Sequence, residues 1–189
     1  MSRFRLPASL TSNALILLVS AFLIAFGNIA FFSNVLKAYP LTTSNAIALL
    51  SLIPVFGGAT VFLLALACFK QTIKPVLIGV LLLSSVAAYF MDSYGIVIND
   101  EMLHNVAGTD AAEARDLINL KLLAYLSLLG IAPAIGIGRI KLQWRGIRSE
   151  ALARAKLLAI VLLTTLGLML VFGRFYASFA REHKDLRSY

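Results

Sequence analysis

Apolar residues in this chain run on for stretches of about twenty, and polar residues gather in the gaps between them. Five runs stand out, at 13–36, 44–69, 74–91, 119–138 and 155–176, each bounded by proline, glycine or a charge cluster. A helix needs roughly 18 or more apolar residues to cross a hydrocarbon layer about 30 Å thick. The runs reach that length without strand-like alternation, so they predict five membrane-spanning helices. The third gap is the longest and most polar: "NDEMLHNVAGTDAAEARDLI", residues 99–118. On a helical wheel at about 100° per residue, Leu103, Ala107, Ala111, Ala114 and Ile118 share one side. Asn105, Thr109, Glu113 and Asp116 fall opposite, within an arc of roughly 80°. This gap predicts a short amphipathic helix at the membrane surface, with Asn99 or Asp100 as N-cap.

Composition agrees with a chain embedded in lipid, since 60% of its 189 residues are hydrophobic, 14% are charged and the mean hydropathy is +0.88. The basic start, "MSRFRLPASLTSNALILLVSAFLIAF", leads into an apolar stretch too long for a signal peptide, and no A-x-A site follows. It predicts an uncleaved first span.

Charge then gives a direction. An odd number of spans puts the termini on opposite sides, and Lys and Arg concentrate in cytoplasmic loops. With the N-terminus inside, that side holds Arg3, Arg5, Lys70, Lys74, Arg139, Lys141, Arg145, Arg148, Arg154 and Lys156, ten of the 17 basic residues. The other side receives Asp92, Asp100, Glu101, Asp110, Glu113 and Asp116, six of the nine acids.

The expected fold is therefore an all-α membrane protein with five transmembrane helices, N-in and C-out. A short amphipathic periplasmic segment lies between helices three and four. The transmembrane domain covers 1–176, and 177–189 begin a linker. A net charge of +8 does not point to nucleic acid, because the cations flank spans and no nucleic-acid motif accompanies them. Orientation and anionic lipid account for them. Phe31, Phe32, Tyr89, Phe90, Trp144, Phe175 and Tyr176, near span ends, are expected to form an interfacial aromatic belt.

No ionisable group falls near the centre of a predicted span, which argues against ion or proton translocation. Pro54, Gly57 and Gly58 in the second span fit a broken helix at a substrate site, or a kink with close helix contact. Gly130, Ala134 and Gly138, four apart, predict a packing stripe. Cys68 sits in an apolar run as a packing residue, so no disulfide framework or metal-ligand cluster arises. His104 and His183 lack an acid and nucleophile in triad order.

The row Asn105, Thr109 and Glu113 carries chemistry suited to a zwitterionic lipid head. A carboxylate pairs with an ammonium, while amide and hydroxyl groups donate to phosphate oxygens. Spacing leaves a second reading open: Gly108 weakens a continuous helix, and Asp110 with Glu113 reads as a capping box.

The run "KPVLIGVLLLSSVAAYFMDSYGIVINDEMLHNVAGTDAAEARDLIN", residues 74–119, resembles the membrane domain of the phosphoethanolamine transferases that modify lipid A, including the mobile colistin-resistance enzymes. The resemblance extends from "NIAFFSNVLKAYP" at 28–40 to "FYASFAREHKDLRSY" at 175–189. It implies a bacterial inner-membrane protein whose five helices precede a periplasmic soluble domain carrying a threonine nucleophile and zinc. Phosphatidylethanolamine would donate phosphoethanolamine to the threonine, and lipid A phosphate would accept it, modifying lipopolysaccharide and conferring polymyxin and colistin resistance.

The membrane domain would anchor the soluble domain and help seat the lipid headgroup. The resemblance assigns that headgroup contact to Asn105, Thr109 and Glu113. Arg115, Lys121 and Lys37 are expected as interfacial anchors on the same side. No catalytic residue, metal ligand or cofactor is expected before Tyr189, and zinc belongs to the soluble domain. Residues 1–189 are therefore expected to be inactive alone. The competing function is a non-enzymatic multi-pass scaffold or transporter subunit with the same span pattern.

Overall fold

The computed structural model describes residues 9–38, 42, 46–95, 119–144 and 146–182. The fold is all-α apart from one pair of two-residue strands, β1 (Leu10–Thr11) and β2 (Leu142–Gln143). The helices are α1 (Ser12–Phe26), α2 (Ile29–Ala38), α3 (Ala46–Ala67), α4 (Ile73–Tyr94), α5 (Leu120–Arg139), α6 (Ile147–Val171) and α7 (Gly173–Glu182). Helices α3, α4, α5 and α6 are each long and apolar enough to cross a membrane. α1 and α2 together make a fifth, bent by 49°. Large apolar side chains stand exposed around the bundle, among them Leu83 (73%), Leu163 (70%) and Leu170 (84%). Exposed apolar surface on that scale is what a lipid-facing wall presents.

The first run, expected as one helix over 13–36, is broken at Gly27–Asn28. The Gly27 amide donates to Leu23 O at 2.8 Å, and the Asn28 side-chain amide donates to the same carbonyl at 2.9 Å. A side chain that takes over a helical carbonyl ends the ladder and redirects the chain. Before the break, Ser12, Leu15, Ile16, Val19, Ser20 and Leu23 form one buried stripe at spacings of three and four. They pack with Val61, Leu64, Cys68, Ile73, Leu77, Leu81 and Ile137 into the main core.

α3 runs unbroken through Pro54, so the kinked or unwound site is not present. Gly58 instead faces α6 so closely that a Cβ would collide with the Thr165 hydroxyl and lie 3.5 Å from Val161 Cγ1. α5 carries a π turn at Leu126–Ile131, where the Ala132 amide reaches back five residues to Ser127 O. Gly130 lies in this turn against Ser85 and Leu82 of α4, while Gly138 has open space beside it. The expected stripe is therefore split, because a π turn changes the phase of everything after it.

The fifth span begins earlier than expected, at Ile147 rather than 155, and brings Arg154 inside the helix. There the guanidinium is half-buried and donates at 3.0 Å to Ala65 O, Cys68 O and Ser12 Oγ. Ser12 in turn donates to Glu150. One side chain thus closes the C-terminal end of α3, where carbonyls lack helical partners, against α1 and α6. At the same end β1 pairs with β2, the Asn13 amide donates to Ala153 O at 3.0 Å, and Lys74 Nζ donates to Gly138 O at 2.9 Å. We call this the stapled end, and the opposite one the distal end.

Candidate functional site

Asn105, Thr109 and Glu113, with the expected amphipathic helix over 99–118, lie outside the described residues. Their frame is described. The polar segment leaves from the distal end of α4 and returns at the start of α5, and four side chains join those two points.

α4 ends at Gly95, whose φ of +64° suits glycine and whose amide donates to Met91 O at 3.1 Å. α5 opens on Asn119 as N-cap, its Oδ1 accepting from the Leu122 amide at 2.8 Å. The Asn119 side-chain amide also donates to the Tyr89 hydroxyl. One turn along, the Tyr125 hydroxyl donates to Asp92 Oδ2 at 2.8 Å. Tyr89 stacks edge-on against Tyr125 and Tyr94, with ring centres 5.9 and 6.0 Å apart, and Lys121 Nζ lies 5.9 Å from the Tyr125 ring centre.

The arrangement is a polar and aromatic clasp. Asp92 accepts a charge-assisted bond, which holds the first turn of α5 in register with the last turn of α4. Tyr89 departs from the expected belt: it is 1% exposed and buried within the clasp. Among the described residues, no three of His, Cys, Asp and Glu converge as metal ligands.

Pattern reading overlooked the clasp, because Asp92 counted only as one of the acids beside the polar gap. A signal was there: Asn119 stands immediately before an apolar run, as an N-cap does, and Asp92 falls three residues after Tyr89 on α4.

Two further features share the distal half. α7 lies against the start of α3, with Tyr176 Oη 2.6 Å from Ser51 Oγ, and Phe175 and Tyr176 pack on Val35, Leu49 and Leu52. The chain therefore leaves α7 at the same end as the clasp. Beneath the bend of α1 and α2 is an apolar cavity of about 560 Å³, bordered by Leu17, Phe32, Pro54 and Gly57. It has the size and character to receive a hydrocarbon chain. Lys37, in the last turn of α2, is exposed at this end.

Comparison with known proteins gives a consistent result. The family model described as "Phosphoethanolamine transferase EptA/EptB" matches residues 57–189. Phosphatidylethanolamine transferase Mcr-1 of Escherichia coli is 32% identical over 181 residues, covering 96% of this chain and 34% of that protein. Phosphoethanolamine transferase EptA of Escherichia coli strain K12 is 33% identical over 174 residues, covering 90% and 32%. Among solved structures, the integral membrane lipooligosaccharide phosphoethanolamine transferase A of Neisseria meningitidis superposes with a TM-score of 0.88 at 29% identity. That match covers 95% of this chain and 34% of the other. The chain spans about a third of the length of the relatives it matches.

Proposed function

The chain belongs to the EptA/EptB phosphoethanolamine transferase family, as its N-terminal membrane domain, and from that premise we propose how this domain serves the transfer. It anchors a periplasmic catalytic domain that follows α7 and seats the headgroup of phosphatidylethanolamine beneath it. The headgroup's phosphoethanolamine passes first to a nucleophile of that domain and then to a lipid A phosphate, the modification that gives colistin resistance. A zinc site would belong to the catalytic domain. The protein lies in a bacterial inner membrane with the stapled end cytoplasmic and the distal end periplasmic, the direction favoured by the Lys and Arg bias. Residues 1–189 alone would be inactive.

One observation carries this reading: the clasp of Asp92, Tyr125, Tyr89 and Asn119 fixes where the 96–118 segment leaves and rejoins the bundle, at the end from which α7 exits. A headgroup held by Asn105, Thr109 and Glu113 would then lie between the bilayer and the catalytic domain. Glu113 would pair the ammonium, and Asn105 and Thr109 would donate to phosphate oxygens.

The test uses the full-length protein. Glu113→Gln keeps the shape and removes the charge, and headgroup transfer to lipid A should fall at least tenfold with the fold intact. Transfer within about twofold of wild type, only ~0.4 kcal/mol, would remove Glu113 from the site.

A further inference from the structure

The stapled end holds a cavity that the transfer reaction does not use. It measures about 560 Å³ and lies between the start of α4, the end of α5 and β2. Four cations line it, Lys70, Lys74, Arg139 and Lys141, and no acidic residue does. Its wall includes Trp144 and the buried Ile73. Two of the cations are held in position: Lys74 Nζ spends one donor on Gly138 O at 2.9 Å, and Lys70 Nζ lies 5.8 Å from the Trp144 ring centre.

A cytoplasmic bias in loop charge sets orientation, but it does not require four cations to converge on one cavity. Converging like charges repel unless an anion joins them. The local helix adds to the demand. The first turn of α4 contains no acid and carries Lys74, a cation at the positive end of a helix dipole. Glu150, an acid at this end, is engaged by Ser12.

The geometry points to a binding site for a phosphate group at this cavity, and specifically for the headgroup of an anionic phospholipid such as phosphatidylglycerol. The depth fits: Arg139 closes α5, and Ile73 and Lys74 open α4, so the cations stand at the span ends where headgroups lie. The lining fits as well. Ile73, Ile140 and Leu142 offer apolar surface to a lipid's glycerol and upper chain, which a free phosphate does not need, and Trp144 suits the interface.

The site is distinct from the headgroup seat proposed for Asn105, Thr109 and Glu113, so its test does not read transfer activity. Full-length protein in detergent is titrated with dioleoylphosphatidylglycerol, dioleoylphosphatidylethanolamine and inorganic phosphate, and bound species are counted by native mass spectrometry. The triple variant Lys70→Gln, Arg139→Gln, Lys141→Gln leaves Lys74 to close α5. It should weaken phosphatidylglycerol binding roughly a hundredfold and leave phosphatidylethanolamine binding unchanged. An affinity loss under threefold overturns the site, and inorganic phosphate binding as tightly as phosphatidylglycerol overturns the lipid assignment. A photoreactive phosphatidylglycerol, which needs no variant, should label peptides containing 70–74 and 139–144; labelling confined elsewhere overturns the proposal.

Discussion

Replacing Arg154 by methionine keeps the length of an apolar stem and removes the guanidinium that closes the stapled end. Three hydrogen bonds at 3.0 Å disappear, to Ala65 O, Cys68 O and Ser12 Oγ. Hydrogen bonds from charged donors contribute about 1.5–3 kcal/mol each. The Ser12 hydroxyl keeps Glu150 as a partner, so the net loss falls mainly on the two carbonyls at the end of α3. Because Arg154 is only half-buried, water reaches the site and the lower figure applies, giving about 3 kcal/mol for the pair. For a chain of this size, 1 kcal/mol moves a melting temperature by about 2–4 °C, so Arg154→Met should melt ~6–12 °C lower. Arg154→Lys retains the charge but offers one nitrogen, too few to span both carbonyls, and should recover about half. Thermal melts of the purified protein in one detergent, followed by circular dichroism, measure both. A Met variant within 2 °C of wild type would refute the staple. A Lys variant equal to wild type would show that charge alone matters.

The distal clasp makes a sharper energetic prediction. Tyr125→Phe and Asp92→Asn should each destabilise the protein by about 1–2 kcal/mol, with a double-mutant coupling near 1 kcal/mol; additivity within ~0.3 kcal/mol in the same melts would dissolve the pair. In the full-length protein, Tyr125→Phe should also reduce lipid A modification, measured by mass spectrometry, because the frame of the 96–118 segment loosens. At Gly58, substitution by leucine sets a branched side chain against Thr165 and Val161 and should cost 2 kcal/mol or more, roughly 4–8 °C in the melt. Gly79, with open space around its missing Cβ, should accept alanine with no loss, and a similar drop at both positions would contradict the packing.

Much of the architecture was legible because hydropathy reports which segments prefer lipid. It does not report direction. "IAFGNIAFF" is apolar throughout, so the 49° bend passed unnoticed although Gly27 and Asn28 spell a breaker pair. The start of α6 was misjudged for the converse reason. Arg148, Glu150 and Arg154 look like a loop, yet the helix continues through them because Arg154 and Glu150 find partners in neighbouring helices. The clasp depends on two segments being laid side by side, Tyr89 with Asn119 and Asp92 with Tyr125, separations of 30 and 33 residues that no local period encodes. Asn105, Thr109 and Glu113 were legible as chemistry on one helical face, and their family resemblance gave that chemistry a role to test.

The π turn at Leu126–Ile131 has a consequence for how this helix tolerates insertions and deletions. Such a turn holds one residue more than the α-helix around it requires. Before it, α5 is keyed to α4 through Tyr125 and Asp92; after it, Ile137 enters the core and Gly138 O receives Lys74. Deleting a single residue between these keys would let the turn relax to α-helix and rotate everything downstream by about 100°. Ile137 would swing out of the core, and the lysine would lose its carbonyl. The surplus residue therefore acts as a spacer with a fixed count, and gaps separating this chain from its relatives should fall outside 125–138.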